Sequence, residues 1–346
     1  MFMSLYFMKV LCDVCKQTGY LTIEKRGNNK YTYVAHFVKE GEKLRKKKHY
    51  LGKDTEALKN EIERFIDNNG LKKLLSYSGG DYYIADELLK RLNAACSGEC
   101  TFVEVFGGSG YMSQTVDRKR FKLIVYNDIN DKLTTLYRMV KKEPEKMATL
   151  LSLLPLARSY HKIVIELLKE NRCLGELEIA ALLFYGINSS FFGSINKGFS
   201  VSKHPGRNLA RSYHKRARGI LDMAEKWKDI IIENLDFRDV IKMYDRETTV
   251  FYLDPPFVGR SEDYYGVDFS VDDLRDMATM LTQIKGKFLL KIDDKTYAFI
   301  EDILGKYKVE KIEQTLAMDK RIGQERKKWV LVLISNIKQR TLSEVW

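Results

Sequence analysis

No apolar run in the 346-residue chain approaches the roughly 18 residues that a membrane-crossing helix requires, which argues against a membrane role. The first eight residues are apolar, yet they lack a basic leading segment and a small-residue cleavage site, so they do not read as a signal peptide. Cysteine is sparse: 5 residues, an odd number without a regular framework, exclude a disulfide-stapled secreted domain and point to an intracellular protein. Acidic residues are missing altogether from residues 196–218, a stretch that carries Lys197, Lys203, Arg207 and Arg211. Basic segments of this kind track phosphates, although a solvated face has the same composition.

What is present begins with charge. The formal net charge is +12, which favours a polyanionic partner, nucleic acid first and an anionic membrane surface second. Hydrophobic residues make up 45% of the chain and charged residues 31%, the balance of a globular protein with ample material for a core. At the end of a short apolar run, Val250-Phe251-Tyr252-Leu253, stands Asp254-Pro255-Pro256-Phe257. Two prolines in succession fix φ and supply no N–H, so the segment is a rigid extended turn whose carbonyls remain acceptors. With the Asp254 carboxylate beside them these acceptors suit a planar NH₂ group, and Phe257 offers a face for a base. An ordinary strand exit capped by prolines fits the same four residues.

Residues 1–70 read as a small appended module with a β-rich stretch. Cys12 and Cys15 have the spacing of half a zinc site, and His36 and His49 could complete a tetrahedral set. The alternative is two ordinary thiols on a small sheet, because the histidines are further apart than in a finger. Residues 55–69 have helical periodicity and lead into the body of the chain.

In the body, the strand Thr101-Phe102-Val103-Glu104-Val105 runs into Phe106-Gly107-Gly108-Ser109-Gly110, the entrance of a doubly wound α/β unit. A second strand ends in Asn127-Asp128. A carboxylate there can accept from both hydroxyls of an adenosine ribose bound over the first strand. The third glycine of the dinucleotide fingerprint is absent, which favours S-adenosylmethionine, a cofactor with no pyrophosphate to cradle, over a nicotinamide dinucleotide. A structural turn is the remaining reading of the loop.

Helical periodicity follows over 132–140, 146–154, 159–169 and 175–185, then aromatics interleaved with Asn, Ser and Lys from Asn188 through Phe192, Asn196 and Lys197. Such a mixture suits base stacking and base-edge contact, or the plugging of a helical core. Strands return over 229–234, 249–253, 287–292, 308–314 and 328–335, with helices predicted over 271–284 and 296–304. Seven strands result, mostly parallel, with an antiparallel hairpin at the end.

Tyr77-Ser78-Gly79-Gly80, the glycine loop, Asn127-Asp128-Ile129-Asn130, Asp236-Phe237 and Asp254-Pro255-Pro256-Phe257 occur in that order. In this the chain resembles the Dam-like DNA adenine-N6 methyltransferases over residues 74–335. The resemblance implies a Rossmann-like methyltransferase domain (71–140 and 228–346), interrupted by a helical target-recognition insertion (141–227). It implies S-adenosylmethionine held by Tyr77, Gly80, Glu104, Phe106, Gly108, Gly110, Asp128, Ile129, Asp236 and Phe237. Catalysis falls to Asp254, Pro255, Pro256 and Phe257 acting on a flipped adenine. Asn188, Phe192, Asn196, Lys197, Lys203, Arg207 and Arg211 would face double-stranded DNA, and a cognate restriction endonuclease is a further possible partner. Asp81 stands where the family commonly has lysine, and Phe257 where it commonly has tyrosine. Cytosine-N4 transfer, or DNA binding by a non-catalytic scaffold, are the other functions such residues allow.

Overall fold

The computed structural model describes residues 9–11, 18–26, 29–40, 43–52, 74–75, 84–170, 174–202, 208–258, 269–315 and 328–337. The chain divides into two units, Met1–Lys72 and Lys73–Trp346.

The first unit contains an antiparallel four-stranded sheet in sequence order: β1 (Lys9–Leu11), β2 (Thr18–Arg26), β3 (Asn29–Glu40) and β4 (Lys43–Gly52). The predicted β-rich stretch is therefore a meander. The helix expected over 55–69, Cys12 and Cys15 lie outside the described residues.

The second unit is a seven-stranded sheet with helices on it. In chain order its strands are β5 (Cys100–Glu104), β6 (Phe121–Asn127), β7 (Ile230–Glu233), β8 (Thr249–Leu253), β9 (Lys287–Asp293), β10 (Lys308–Thr315) and β11 (Lys328–Ser335). Across the sheet the order is β10-β11-β9-β8-β5-β6-β7. The pairs β9/β8, β8/β5, β5/β6 and β6/β7 are parallel, and β11 runs antiparallel to both β9 and β10. The hairpin expected at the chain's end is thus present, with its second strand wedged between β9 and β10. β8 is buried along its whole length and β5 and β9 at all but one position each, because both faces of a central strand are covered. On one face Val103, Val125, Phe251, Leu253, Phe288, Leu290 and Ile292 form a core with Leu274, Met277 and Leu281 of α10 (Val271–Leu281).

Helix α1 (Ala85–Ala95) precedes β5, and the short α2 (Tyr111–Thr115) follows the glycine loop. Between β6 and β7 lies a bundle of α3 (Asp131–Lys142), α4 (Pro144–Leu153), α5 (Arg158–Lys169), α6 (Glu176–Ser189), α7 (Leu209–Arg218) and α8 (Ile220–Trp227). Asn130 starts α3 by accepting from the backbone N–H groups of Lys132 and Leu133, and Pro144 sits in the first turn of α4, where a missing N–H costs nothing. α6 is apolar on nearly every side and packs against α3, α4 and α5, which makes it the central helix of the bundle. The segment anticipated as one basic loop, 196–218, is a helix from Leu209 onward, capped by Asn208. α9 (Phe237–Tyr244) follows β7, and the helix predicted over 296–304 is two short ones, α11 (Asp294–Tyr297) and α12 (Glu301–Leu304).

Cys96 and Cys100 form a disulfide across the turn from α1 to β5, with Cα atoms 5.9 Å apart. The cysteine count bears only on a disulfide-stapled framework and does not anticipate this single local bond; a four-residue separation around a turn brings two Cβ atoms within reach without any framework. Among the described residues no helix is long and apolar enough to cross a membrane.

Candidate active site

Because β8, β5, β6 and β7 are parallel neighbours, the four loops at their carboxyl ends open on one edge of the sheet. The order turns around at β5, with β6 on one side and β8 on the other. An open α/β sheet leaves its ligand crevice at such a switch point.

The loop after β5 is shaped by glycine and held by aromatic rings. Gly108 and Gly110 have φ of 49° and 61°, the left-handed region that side chains rarely adopt. Beneath the loop the Trp227 and Tyr137 rings stack at 3.8 Å, with Tyr126 edge-on to each at 5.0 Å. A Cβ on Gly107 would lie 2.1 Å from the Tyr126 ring, and one on Gly110 would lie 2.4 Å from Trp227. The Tyr126 hydroxyl donates to the Gly108 carbonyl at 3.0 Å and the Tyr137 hydroxyl to that of Ser109. Glu104, which ends β5, is buried, and its carboxylate accepts from the backbone N–H of Ser113 at 2.8 Å and from the Ser113 hydroxyl. It thereby ties the strand to the start of α2.

Asp128 follows β6 and closes on the same loop. Its Oδ2 accepts from Gly108 N–H at 2.7 Å and its Oδ1 from Asn130 N–H at 2.8 Å. Burial pushes its carboxyl up to about 6, and the two backbone donors oppose that shift. Each oxygen has a second lone pair, so the carboxylate retains acceptor capacity. Ile129 beside it is 48% exposed, an aliphatic face left open to solvent.

Two asparagines that sequence reading left without a role organise this edge. Asn127 Nδ2 donates to the carbonyls of Val105 and Leu235 while its Oδ1 accepts from Leu235 N–H, joining the loops after β5 and β7. Asn234 Nδ2 donates to the carbonyls of Asp128 and Ile129. Asn-Asp at a strand end was the only signal for the first, and nothing marked the second.

After β7, Asp236 caps α9 by accepting from Arg238 N–H at 2.9 Å. The Arg238 guanidinium also reaches Asp236, Asp273 and Asp276, and it lies 4.3 Å from the centre of the Phe237 ring. Phe237 is buried and meets Phe106 and Phe269 at ring separations of 5.8 and 5.9 Å. Two residues far apart in sequence, Phe106 and Phe237, thus share one aromatic cluster at the crevice.

After β8 comes the proline turn. Pro255 is buried, while Asp254, Pro256 and Phe257 are half-buried. Asp254 Oδ2 lies 2.6 Å from the Nζ of Lys291 on β9, whose side chain is only 5% exposed. Lys291 was not among the expected site residues, though a lone lysine inside Phe288-Leu289-Leu290-Lys291-Ile292 carried the signal.

On the helical bundle, residues 189–200 fold back on themselves: Phe191 N–H donates to the Gly198 carbonyl and Ser200 N–H to that of Ser189. Phe191 and Phe192 are exposed at the tip, with Phe192 at φ 58° and the Lys197 ammonium 5.7 Å from its ring centre. Asn196 and Arg211 are exposed. Asn188 differs from these: it is buried on α6, where its Nδ2 donates to the carbonyls of Leu74 and Phe184, beneath the tip rather than on it.

Tyr77, Gly80, Lys203 and Arg207 lie outside the described residues. So do Cys12 and Cys15; the register of β3 and β4 pairs His36 with Lys47 and Val34 with His49. Among the described residues no three His, Cys, Asp or Glu side chains gather to hold a metal.

A search of curated proteins finds no match to the chain. A family model of the D12 class N6 adenine-specific DNA methyltransferases matches residues 77–318, a span that runs from Tyr77 through the glycine loop, the bundle and the proline turn. With a sheet order, a switch-point crevice and an acidic proline turn that agree with that match, the chain belongs to the D12 class of N6 adenine-specific DNA methyltransferases.

Proposed function

We infer that the chain carries out the reaction of its family, transfer of a methyl group from S-adenosylmethionine to the N6 nitrogen of adenine in DNA. We propose that this chain does so on double-stranded DNA, at a base flipped out of the helix, with Asp254 and the Pro255 carbonyl as acceptors for the two N6 protons. The observation that carries the reading is the position of Asp254 at the end of β8, next to the glycine loop of β5 and across the crevice from Asp128.

The chain's residues suit the cofactor on physical grounds. Glycine at 107, 108 and 110 leaves Ser109 as the one Cβ-bearing residue in that stretch, and at 107 and 110 it lets the loop lie flat on its aromatic base. Asp128 would accept from the ribose hydroxyls, with Ile129 against the adenine face. Asp236 would accept from the cofactor's amino group, while Phe106 and Phe237 pack beside it. Glu104 and its bond to Ser113 support the methionine side, to which Tyr77 and Gly80 would contribute. When bound, the cofactor supplies an electrophilic methyl on a sulfonium centre.

Adenine N6 is a poor nucleophile because its lone pair is delocalised into the ring. Acceptors for both N–H bonds localise that pair on nitrogen, and they help most as positive charge develops there. Flipping costs a few kcal/mol, and stacking on Phe257, worth about 1–3 kcal/mol, offsets part of it. Phe257 offers this face without a phenolic hydroxyl, so no hydrogen bond accompanies the stacking.

DNA would lie along the bundle surface. Phe192 and its exposed neighbour Phe191 would meet the bases, while Asn196, Lys197, Lys203, Arg207 and Arg211 contact phosphates or base edges. Asn188 supports that loop from below. A protein acting on DNA in this way works inside the cell, where a cognate restriction endonuclease would be one consumer of the mark. The spacing of Cys12, Cys15, His36 and His49 keeps a structural zinc in view, and elemental analysis of the purified protein decides it. Asp254→Ala tests the central assignment: transfer is lost while cofactor binding, read by calorimetry, persists. Loss of cofactor binding with an intact fold would contradict it.

A further inference from the structure

Lysine is almost never buried unless it is paired, because removing an ammonium from water is costly. Lys291 is 4% exposed and sits among Phe288, Leu289, Leu290 and Ile292 on a strand with neighbours on both sides. The register of β8 with β9 sets Leu253 opposite Leu290. The next step along both strands brings Asp254 level with Lys291, and the 2.6 Å ion pair is the result. No other part of the proposed chemistry uses this lysine.

We propose that Lys291 is a positioning residue for methyl transfer: it holds the Asp254 carboxylate, through Oδ2, in the orientation that receives the N6 amino group. The inference rests on the reading of Asp254 as the acceptor and adds what aims it. The rigid prolines fix the backbone of the turn, but they leave the Asp254 side-chain torsions open. A charged partner anchored in the sheet closes that freedom at the reacting edge. As a carboxylate Asp254 accepts hydrogen bonds at both oxygens, so Oδ2 is held on Lys291 while Oδ1 receives the N6 amino group. Because the flipped base gains from this alignment chiefly as N6 becomes the nucleophile, the effect belongs to turnover more than to binding.

The test uses the full-length protein, double-stranded DNA and labelled S-adenosylmethionine, with rates normalised to the concentration of cofactor-binding sites. Lys291→Met is expected to lower kcat by roughly 10- to 100-fold, with KM for DNA and cofactor affinity within about threefold of wild type. Lys291→Arg, which restores the charge, recovers kcat to within about threefold of wild type. Should Lys291→Met fail to fold, Lys291→Gln replaces it and carries the same expectation. A purely structural lysine would lower the number of binding sites and leave kcat per site untouched, and that result overturns the proposal. So does Lys291→Arg as impaired as the neutral variant. Asp254→Ala, assayed in parallel, separates this inference from its foundation. An active Asp254→Ala removes the acceptor assignment itself. An inactive Asp254→Ala beside a folded neutral Lys291 variant with wild-type kcat removes only the role of Lys291.

Discussion

Two carboxylates on the loops that flank the glycine loop, one after β8 and one after β6, are held in different ways, and their roles follow. Asp254 is paired with a buried ammonium, whereas Asp128, among the described residues, receives backbone N–H groups from Gly108 and Asn130, and burial pushes its carboxyl up to about 6. Cofactor affinity is therefore expected to fall as pH drops through about 6, since protonated Asp128 turns an acceptor into a donor toward the ribose hydroxyls. The stability contribution has the opposite sign: a carboxyl with a raised native pKa favours the folded, cofactor-free protein as pH falls from about 6 toward its ordinary value. Calorimetric titrations and melting curves between pH 5 and pH 8, on the order of three points per unit, check both directions. Asp254→Ala is expected to reduce transfer by about 10³-fold or more, a loss read as kcat at saturating cofactor. Both aspartates were legible in sequence because each ends an apolar strand with a characteristic neighbour. Lys291 stood out as a lone charge in an apolar run, but its partner was not legible, since that depends on β9 lying next to β8 and strand order is invisible in a linear pattern. Asn234 was hidden for the same reason.

At the scale of elements, the glycine loop owes its shape as much to what lies under it as to its own residues. Gly110→Ala places a side chain at φ 61° and against Trp227. The expected cost is on the order of 1–3 kcal/mol for backbone strain, plus repacking of the Tyr137 and Trp227 stack. A lower melting temperature accompanied by weaker cofactor binding is the predicted outcome; unchanged values for both would remove the packing argument. The loop's glycines were read correctly as turn formers, but Tyr126, Tyr137 and Trp227 come from β6, α3 and α8 and meet only in the fold. Apolar strands and amphipathic helices were readable wherever burial imposed a regular period. α7 was not: its buried face is Tyr213 and Ala217, and a run of basic residues outweighed that signal. The helix expected over 296–304 breaks because Ala298, Phe299 and Ile300 form a turn between its two halves.

For the molecule as a whole, the methyltransferase sheet brings the glycine loop, the Asp128 loop and the proline turn to one edge, and the bundle between β6 and β7 adds a surface with exposed phenylalanines and basic residues. Replacing Lys197 and Arg211 by alanine is expected to weaken DNA binding and to flatten the dependence of log K on log salt by about 0.9 for each phosphate that is no longer neutralised. Unchanged slopes would assign those charges to a solvated face. The meander ahead of the body was anticipated as β-rich, while Cys12 and Cys15 of its proposed zinc site fall outside the described residues. The central claim is that this crevice methylates adenine at N6 through Asp254. Its most direct test is incubation of wild-type and Asp254→Ala protein with double-stranded genomic DNA and isotopically labelled S-adenosylmethionine, followed by nucleoside mass spectrometry. The account predicts label in N6-methyladenine with the wild type and none with the variant. Label in N4-methylcytosine, or equal N6-methyladenine from both proteins, would contradict it.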